Sequence, residues 1–167
     1  MAAGATYEPI ATQTVAVAAT AITFSSIAAS WTDLRLVLVP TTTVSGTVKF
    51  TINGDTASNY SNTFMDGNGS TTRSLANTGS TGVTIDAYNL STTIPYLFTI
   101  DLFSYAGSTY KTFLYTSQED QNGSGEVARG VGLWRSTAAI TSLTLTISAA
   151  NTFAIGTTAT LYGILKA

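Results

Sequence analysis

Asp66, Asn68 and Ser70 occupy the first, third and fifth positions of the run "DGNGS". This is the spacing with which an EF-hand loop wraps short oxygen side chains around a hard cation. The rest of that pattern is missing. The sixth position is Thr71 rather than Gly and the twelfth is Asn77 rather than Glu, so the expected reading is a pair of turn-forming Asp-Gly and Asn-Gly dipeptides that satisfy their own backbone. Glu119, Asp120 and Glu126 share one stretch, "EDQNGSGE", and glycoside hydrolysis needs two carboxylates about 5 to 10 Å apart. Acids in such a loop are expected to be solvated surface. The chain has no histidine and no cysteine, which removes the usual general base, the commonest transition-metal ligand, thiolate metal sites and disulfides. Neither Lys49 nor Lys111 sits in a Ser-Lys nucleophile signature. The expectation is no enzyme, no metal and no cofactor.

Other polar residues read as architecture. Asp101 lies in "FTIDLFSY" and Arg35 in "LRLV", apolar settings in which a lone charge is costly unless paired. A cross-strand contact between Asp101 and an arginine is expected, with Arg35, Arg129 and Arg135 as candidates. Asn-X-Ser/Thr triplets at Asn59, Asn68, Asn89 and Asn122 are chance products of a composition rich in Asn, Ser and Thr. Trp31 and Trp134 are expected to fill core or interface, with their N–H groups tied off, rather than to stack on sugar rings. Exposed contacts are expected from two loops, 66 to 82 with Asp66, Asn68 and Arg73, and 117 to 126 with Glu119, Asp120 and Asn122.

The elements that position these residues follow from alternation. In "TVKFTIN" Val48, Phe50 and Ile52 point one way and Thr47, Lys49 and Thr51 the other, and "TSLTLTIS" repeats this with Leu143, Leu145 and Ile147 inward. That is the signature of half-buried strands. β-Branched and aromatic runs between turn clusters add strands at 14–17, 21–27, 33–39, 62–66, 82–88, 96–105, 111–117, 127–135 and 158–165. "LRLVLV" and "YLFTIDLF" are apolar on both faces and belong in the middle of a sheet, or where a second chain covers the outer face. The fold class expected is all-β: a single-domain antiparallel β-sandwich, jelly-roll-like, over residues 13–167, with residues 1–12 as an N-terminal arm. "INGD" at 52–55 is expected to turn a hairpin.

Only 10% of the 167 residues are charged against 44% hydrophobic, so Thr, Ser, Asn and Gly must cover the surface. Such side chains solvate a surface without repelling a neighbour, which suits close packing against other copies or a flat protein wall. A net charge of −2 with seven scattered basic residues offers no footprint for nucleic acid. No stretch approaches the roughly 18 apolar residues of a membrane span, and the first residues lack the charged and apolar regions of a secretory signal.

Several stretches together resemble a family of small β-rich virion proteins of tailed phages, common among phages of cyanobacteria and other aquatic bacteria. They are "YEPIATQTV" at 7–15, "ITFSSI" at 22–27, "WTDLRLVLV" at 31–39, "INGDTASNYS" at 52–61, "DLFSYA" at 101–106, "VGLWRSTAAITSLTLT" at 131–146 and the closing "LYGILKA". The resemblance spans nearly the whole chain except 66–95, and its motifs are strands and turns, so it implies a fold and a virion setting and carries over no catalytic residue. Family members occur as short separate proteins and as end domains of fibres. The absence of a preceding shaft favours a separately expressed protein. The resemblance therefore implies a capsid decoration (cement) protein, made in the host cytoplasm and bound to the capsid surface. Its expected partners are the major capsid protein and further copies of itself, as a homotrimer at symmetry axes. The alternatives are a tail fibre or receptor-binding domain contacting host glycans and a minor tail or baseplate subunit.

Overall fold

A computed structural model describes residues 6–85, 90–148 and 151–165. The strands are β1 (Tyr7–Thr14), β2 (Ala21–Phe24), β3 (Asp33–Val39), β4 (Val48–Ile52), β5 (Tyr60–Gly67), β6 (Thr72–Ser80), β7 (Val83–Thr84), β8 (Leu97–Leu102), β9 (Lys111–Glu119), β10 (Glu126–Trp134), β11 (Leu143–Ile147) and β12 (Thr158–Ile164). They form two antiparallel sheets, one in the order β1-β12-β3-β8-β9-β10-β5-β6 and one in the order β2-β11-β4-β7. Every pairing is antiparallel. The chain is an all-β sandwich.

Its topology is that of a jelly roll with an extension. The four strands β1-β12-β3-β8 of the large sheet face the small sheet β2-β11-β4-β7, and the chain steps between the two as a pair of Greek keys does. Two hairpins are added. β5-β6 follows β4, β9-β10 follows β8, and together they widen the large sheet beyond β8. β3 and β8 lie side by side within the large sheet, where their two-sided apolar sequences suggested they belong.

The core is built by alternation. Leu34, Leu36 and Leu38 of β3, Phe98, Ile100 and Leu102 of β8, and Val48, Phe50 and Ile52 of β4 are buried, and so are Leu143, Leu145 and Ile147 of β11. Phe50 of the small sheet meets Phe113 of β9 edge to face, with ring centroids 5.3 Å apart, so the small sheet covers the first strand of the extension. Farther out, β10 accommodates its neighbour by having no side chain. Gly130 and Gly132 pair with Tyr115 and Phe113, and a Cβ at either glycine would lie 2.2 Å from the opposing ring.

Three expectations are corrected. Residues 7–12, expected as part of an arm, belong to β1, an edge strand paired with β12; exposure of its alternate residues weakens the periodic signal, and only Thr14 of the strand expected at 14–17 lies in it. Residues 66–82 are not a loop: 72–80 form β6, exposed at all but its last residue. A strand with no buried face carries no period-2 hydrophobic pattern to be read. The "INGD" turn is tight, with Asn53 and Gly54 at φ 53° and 66° and the Asp55 N–H donating to the Ile52 carbonyl at 2.9 Å. It does not close a hairpin, because β4 and β5 belong to different sheets. Of the strand expected at 82–88, Val83–Thr84 forms β7 and residues 86–88 lie outside the described residues, as does Asn89.

Gly132→Ala should force its new methyl against the Phe113 ring. The expected cost is about 1–3 kcal/mol, read as a lower urea midpoint with an unchanged slope.

Candidate functional site

The Asp101 carboxylate meets Arg35 across β8 and β3, at register-paired positions. The guanidinium donates from Nε to Oδ1 at 2.5 Å and from Nη2 to Oδ2 at 2.8 Å. This fork geometry is the strong form of an ion pair, and it holds the Arg35 guanidinium charged above its usual range. The other two candidates lie elsewhere. Arg129 is exposed on β10 opposite Met65, and Arg135 donates to the Ser58 carbonyl.

Arg35 and Asp101 sit on the outer face of the large sheet, where the remaining side chains are mostly uncharged. Thr99 and Thr116, paired across β8 and β9, share a hydroxyl hydrogen bond of 2.7 Å, and Thr12 and Thr160 share one of 3.1 Å across β1 and β12. Tyr7 stacks on Tyr162 at 4.7 Å. Toward β6 the face becomes apolar and open, with Met65, Val127 and Val131 exposed by 64%, 65% and 40%. Met65, Val127, Ser74 and Arg129 line a shallow groove there. Eight strands at ~4.8 Å spacing and about seven residues long give a face of roughly 800 Å², the area one partner contributes to a standard interface.

The fold brings the two expected contact segments together at one end. The β5-β6 tip, with Asn68 and Gly69, and the β9-β10 tip, with Asp120 and Gly123, line one depression together with Glu119 and Glu126. A second depression there is lined by Tyr96, Gln121 and Asn68. The side chains are not all available as contacts. Asp66 is buried and ion-paired with Arg73 of β6. The Asn68 Oδ1 accepts from the backbone N–H groups of Ser70 and Thr71 at 3.0 and 2.8 Å, so the run that mimics a calcium loop spends its oxygens on an Asx turn and an ion pair. Glu126 is buried and Glu119 half-buried, while Asp120 and Asn122 are exposed, with Asn122 at φ 61°.

Comparison of the chain with protein-family models, with curated proteins and with solved structures finds no match. What the chain does must therefore be argued from its own surfaces.

Two polar groups that fix those surfaces, one buried and one half-buried, lay outside the sequence expectations. Lys111 is 1% exposed, and its ammonium donates to the carbonyls of Gly107 and Thr109 at 2.6 and 2.5 Å, while burial pulls its pKa down. It anchors the loop entering β9. The signal was present in the alternation, since Lys111 is in phase with the buried Phe113 and Tyr115. At the turn between the sheets, Asp55 Oδ2 accepts from the Trp134 indole N–H at 2.7 Å and from Asn59 Nδ2 at 2.8 Å, and Oδ1 accepts from the Ala57 N–H at 2.9 Å. These bonds, Trp134 first, hold the Asp55 carboxyl below the usual carboxylate range. Tyr60 is buried beside it, accepts from the Ile52 N–H at 2.9 Å and donates its hydroxyl toward the Asp55 carbonyl at 3.1 Å. Burial pushes its phenol up to about 12. Trp31 is half-buried, its ring lying where a Cβ on Gly163 would stand.

Because the Asp55 pKa falls on folding, its contribution is present above the unfolded value of about 3.9 and is lost as pH drops through the folded one. Asp55→Asn should cost stability at neutral pH and flatten the acid limb of a urea-midpoint profile. The Tyr60 shift has the opposite sense, with its contribution present below about 10 and lost as pH rises toward 12, so Tyr60→Phe should flatten the alkaline limb.

Asp101→Ala strips Arg35 of its fork and should cost about 1–2 kcal/mol. A double-mutant cycle with Arg35→Ala should recover a coupling of that sign.

Proposed function

We propose that this chain is a structural protein of a tailed-phage virion, a capsid decoration protein that binds the exterior of the head and stabilises it by bridging major capsid proteins. One observation above all supports this reading: the outer face of the eight-stranded sheet is broad, nearly free of net charge and about the size of one side of a standard interface. Arg35 and Asp101 neutralise each other on it, and threonine hydroxyls bond to one another across it, so apposing its β1-to-β9 part, away from the exposed Arg129, to a protein wall strands little charge. The virion resemblance of the strand and turn sequences supports the same setting, with the chain made in the host cytoplasm and copies clustered as trimers. Its mechanism is mass action: a ligand that binds the assembled shell and not its separated subunits stabilises the shell.

A second reading, receptor binding at a fibre tip, is favoured by the convergence of the two hairpin tips around Asn68, Tyr96 and Asp120. Two measurements separate them. Quantified bands from purified virions should show a copy number comparable with that of the major capsid protein, whereas a handful of copies would defeat the decoration reading. Thr116→Glu, in the middle of the outer face, should abolish binding to undecorated heads while Asp120→Ala leaves it intact. Loss of host-cell binding by Asp120→Ala, with heads unaffected by Thr116→Glu, would decide for the second reading.

A further inference from the structure

The four edges of the sandwich are unequally guarded. An open edge presents a row of unpaired N–H and C=O groups, and proteins blunt it with short strands, proline, bulges or lysine. β2 and β7 are four and two residues long. β1 carries Pro9 and a register shift between Pro9 and Ala11. β6 has none of these defences over residues 72–77. It contains no proline and no lysine, its first eight residues are exposed on both faces, and its only charge, Arg73, is tied back to Asp66 of its own hairpin.

We propose that β6 is an interface for a second copy of this chain, the two β6 strands pairing antiparallel about a two-fold axis at Leu75. The register follows from the hairpin. The Asn68 N–H donates to the Thr71 carbonyl at 3.2 Å, and bonded and non-bonded pairs alternate along an antiparallel ladder. With Asp66 opposite Arg73, Phe64 opposite Leu75 and Asn62 opposite Asn77, the residues bonded to β5 are 73, 75 and 77. The main-chain groups of Thr72, Ser74 and Ala76 therefore point to the open edge.

A two-fold axis at Leu75 sets Ser74 against Ala76 of the second copy, and Ala76 against its Ser74. Each of these two pairs exchanges both main-chain bonds. Leu75, which is 45% exposed, then meets its own counterpart, an apolar pair in place of a solvated side chain. Arg73 falls opposite Asn77, so no like charges face each other. An axis at Ser74 would instead bring the two Arg73 residues onto diagonal positions. The strand is thus self-complementary in main-chain bonds, apolar contact and charge at one register.

A single strand pair buries less than the ~1,200 Å² of a stable complex, so the contact is weak in dilute solution and strengthens where copies are held side by side, as an effective-concentration effect. It uses the edge of the sheet and leaves the outer face free, so it does not depend on what that face docks on.

The chain has no cysteine, so a single introduced thiol can bridge only to another copy. Leu75→Cys should form a covalent dimer under mild oxidation, shifting the mass from 17.4 kDa to twice that, because directly opposed Cα atoms at about 4.5 Å suit a disulfide. Asn77→Cys, whose thiols would lie about 13 Å apart along the strand in this register, and Thr12→Cys on β1 should cross-link much more slowly. Adding Ser74→Pro to Leu75→Cys removes an outward N–H without touching the β5 ladder, and should slow cross-linking with no loss in melting temperature. Equal rates at positions 75, 77 and 12 would overturn the proposal. So would a well-folded Ser74→Pro variant that cross-links as fast as its parent. If the proline variant fails to fold, the profile across 75, 77 and 12 still decides.

Discussion

A four-stranded sheet cannot cover an eight-stranded one, and most of this molecule's particular features answer to that mismatch. Where the small sheet lies over β12, β3 and β8, the inner residues include Leu34, Leu36, Leu38, Phe98, Ile100, Leu102, Ala159 and Leu161, buried to near-zero exposure. Beyond it the inner face must be finished by the extension itself. β10 does this by withdrawing its side chains, so that Tyr115 and Phe113 lie over Gly130 and Gly132. Past β10 polar pairs flank the Phe64–Leu75 pair on the inner face: Asn62 donates to the Tyr115 hydroxyl at 2.8 Å, Asn77 donates to Asn62, and Arg73 bonds Asp66. A polar ladder is the stable solution there, because each group finds a partner while the apolar covering layer runs out.

The same mismatch decides which surfaces are left to work. The outer face is continuous across all eight strands and nearly neutral, and its two most exposed apolar residues, Met65 and Val127, both belong to the added hairpins. The two hairpin tips end side by side because β10 and β5 are hydrogen-bonded neighbours, although residues 68 and 120 are far apart in sequence. The corner at Asp55 and Tyr60 connects these parts. It is where the chain leaves the small sheet for the extension, and Trp134 from the end of β10 closes it through the Asp55 carboxylate. The junction between the small sheet and the extension thus rests on a partly buried polar corner.

Legibility in the sequence followed burial. Strands 48–52 and 143–147 announced themselves by alternation, 33–39 and 111–117 by β-branched and aromatic residues between turn clusters, and the need to pair Asp101 followed from its apolar neighbours alone. The turn at Asn53-Gly54 was visible in its residue types, yet not the fact that it changes sheets, since a tight turn has the same local chemistry in either role. β6 escaped because "TRSLANTGS", at the edge of the large sheet, lies beyond the cover of the small one and buries neither face. Lys111 was legible in phase and overlooked, because a lysine in a strand is ordinarily read as facing water.

By itself, then, the sequence determined the class of the fold, an all-β sandwich whose inward residues recur every second position and whose surface is solvated by uncharged side chains. It also excluded chemistry that depends on imidazole or thiol groups. Only the tertiary structure decided which arginine Asp101 meets, which tips converge, and that one edge of the large sheet is left unguarded. The reason is physical. Alternation and composition are local and survive any arrangement of strands, whereas register, strand order and the reach of one layer over another are set by long-range pairing, which no short window of residues encodes.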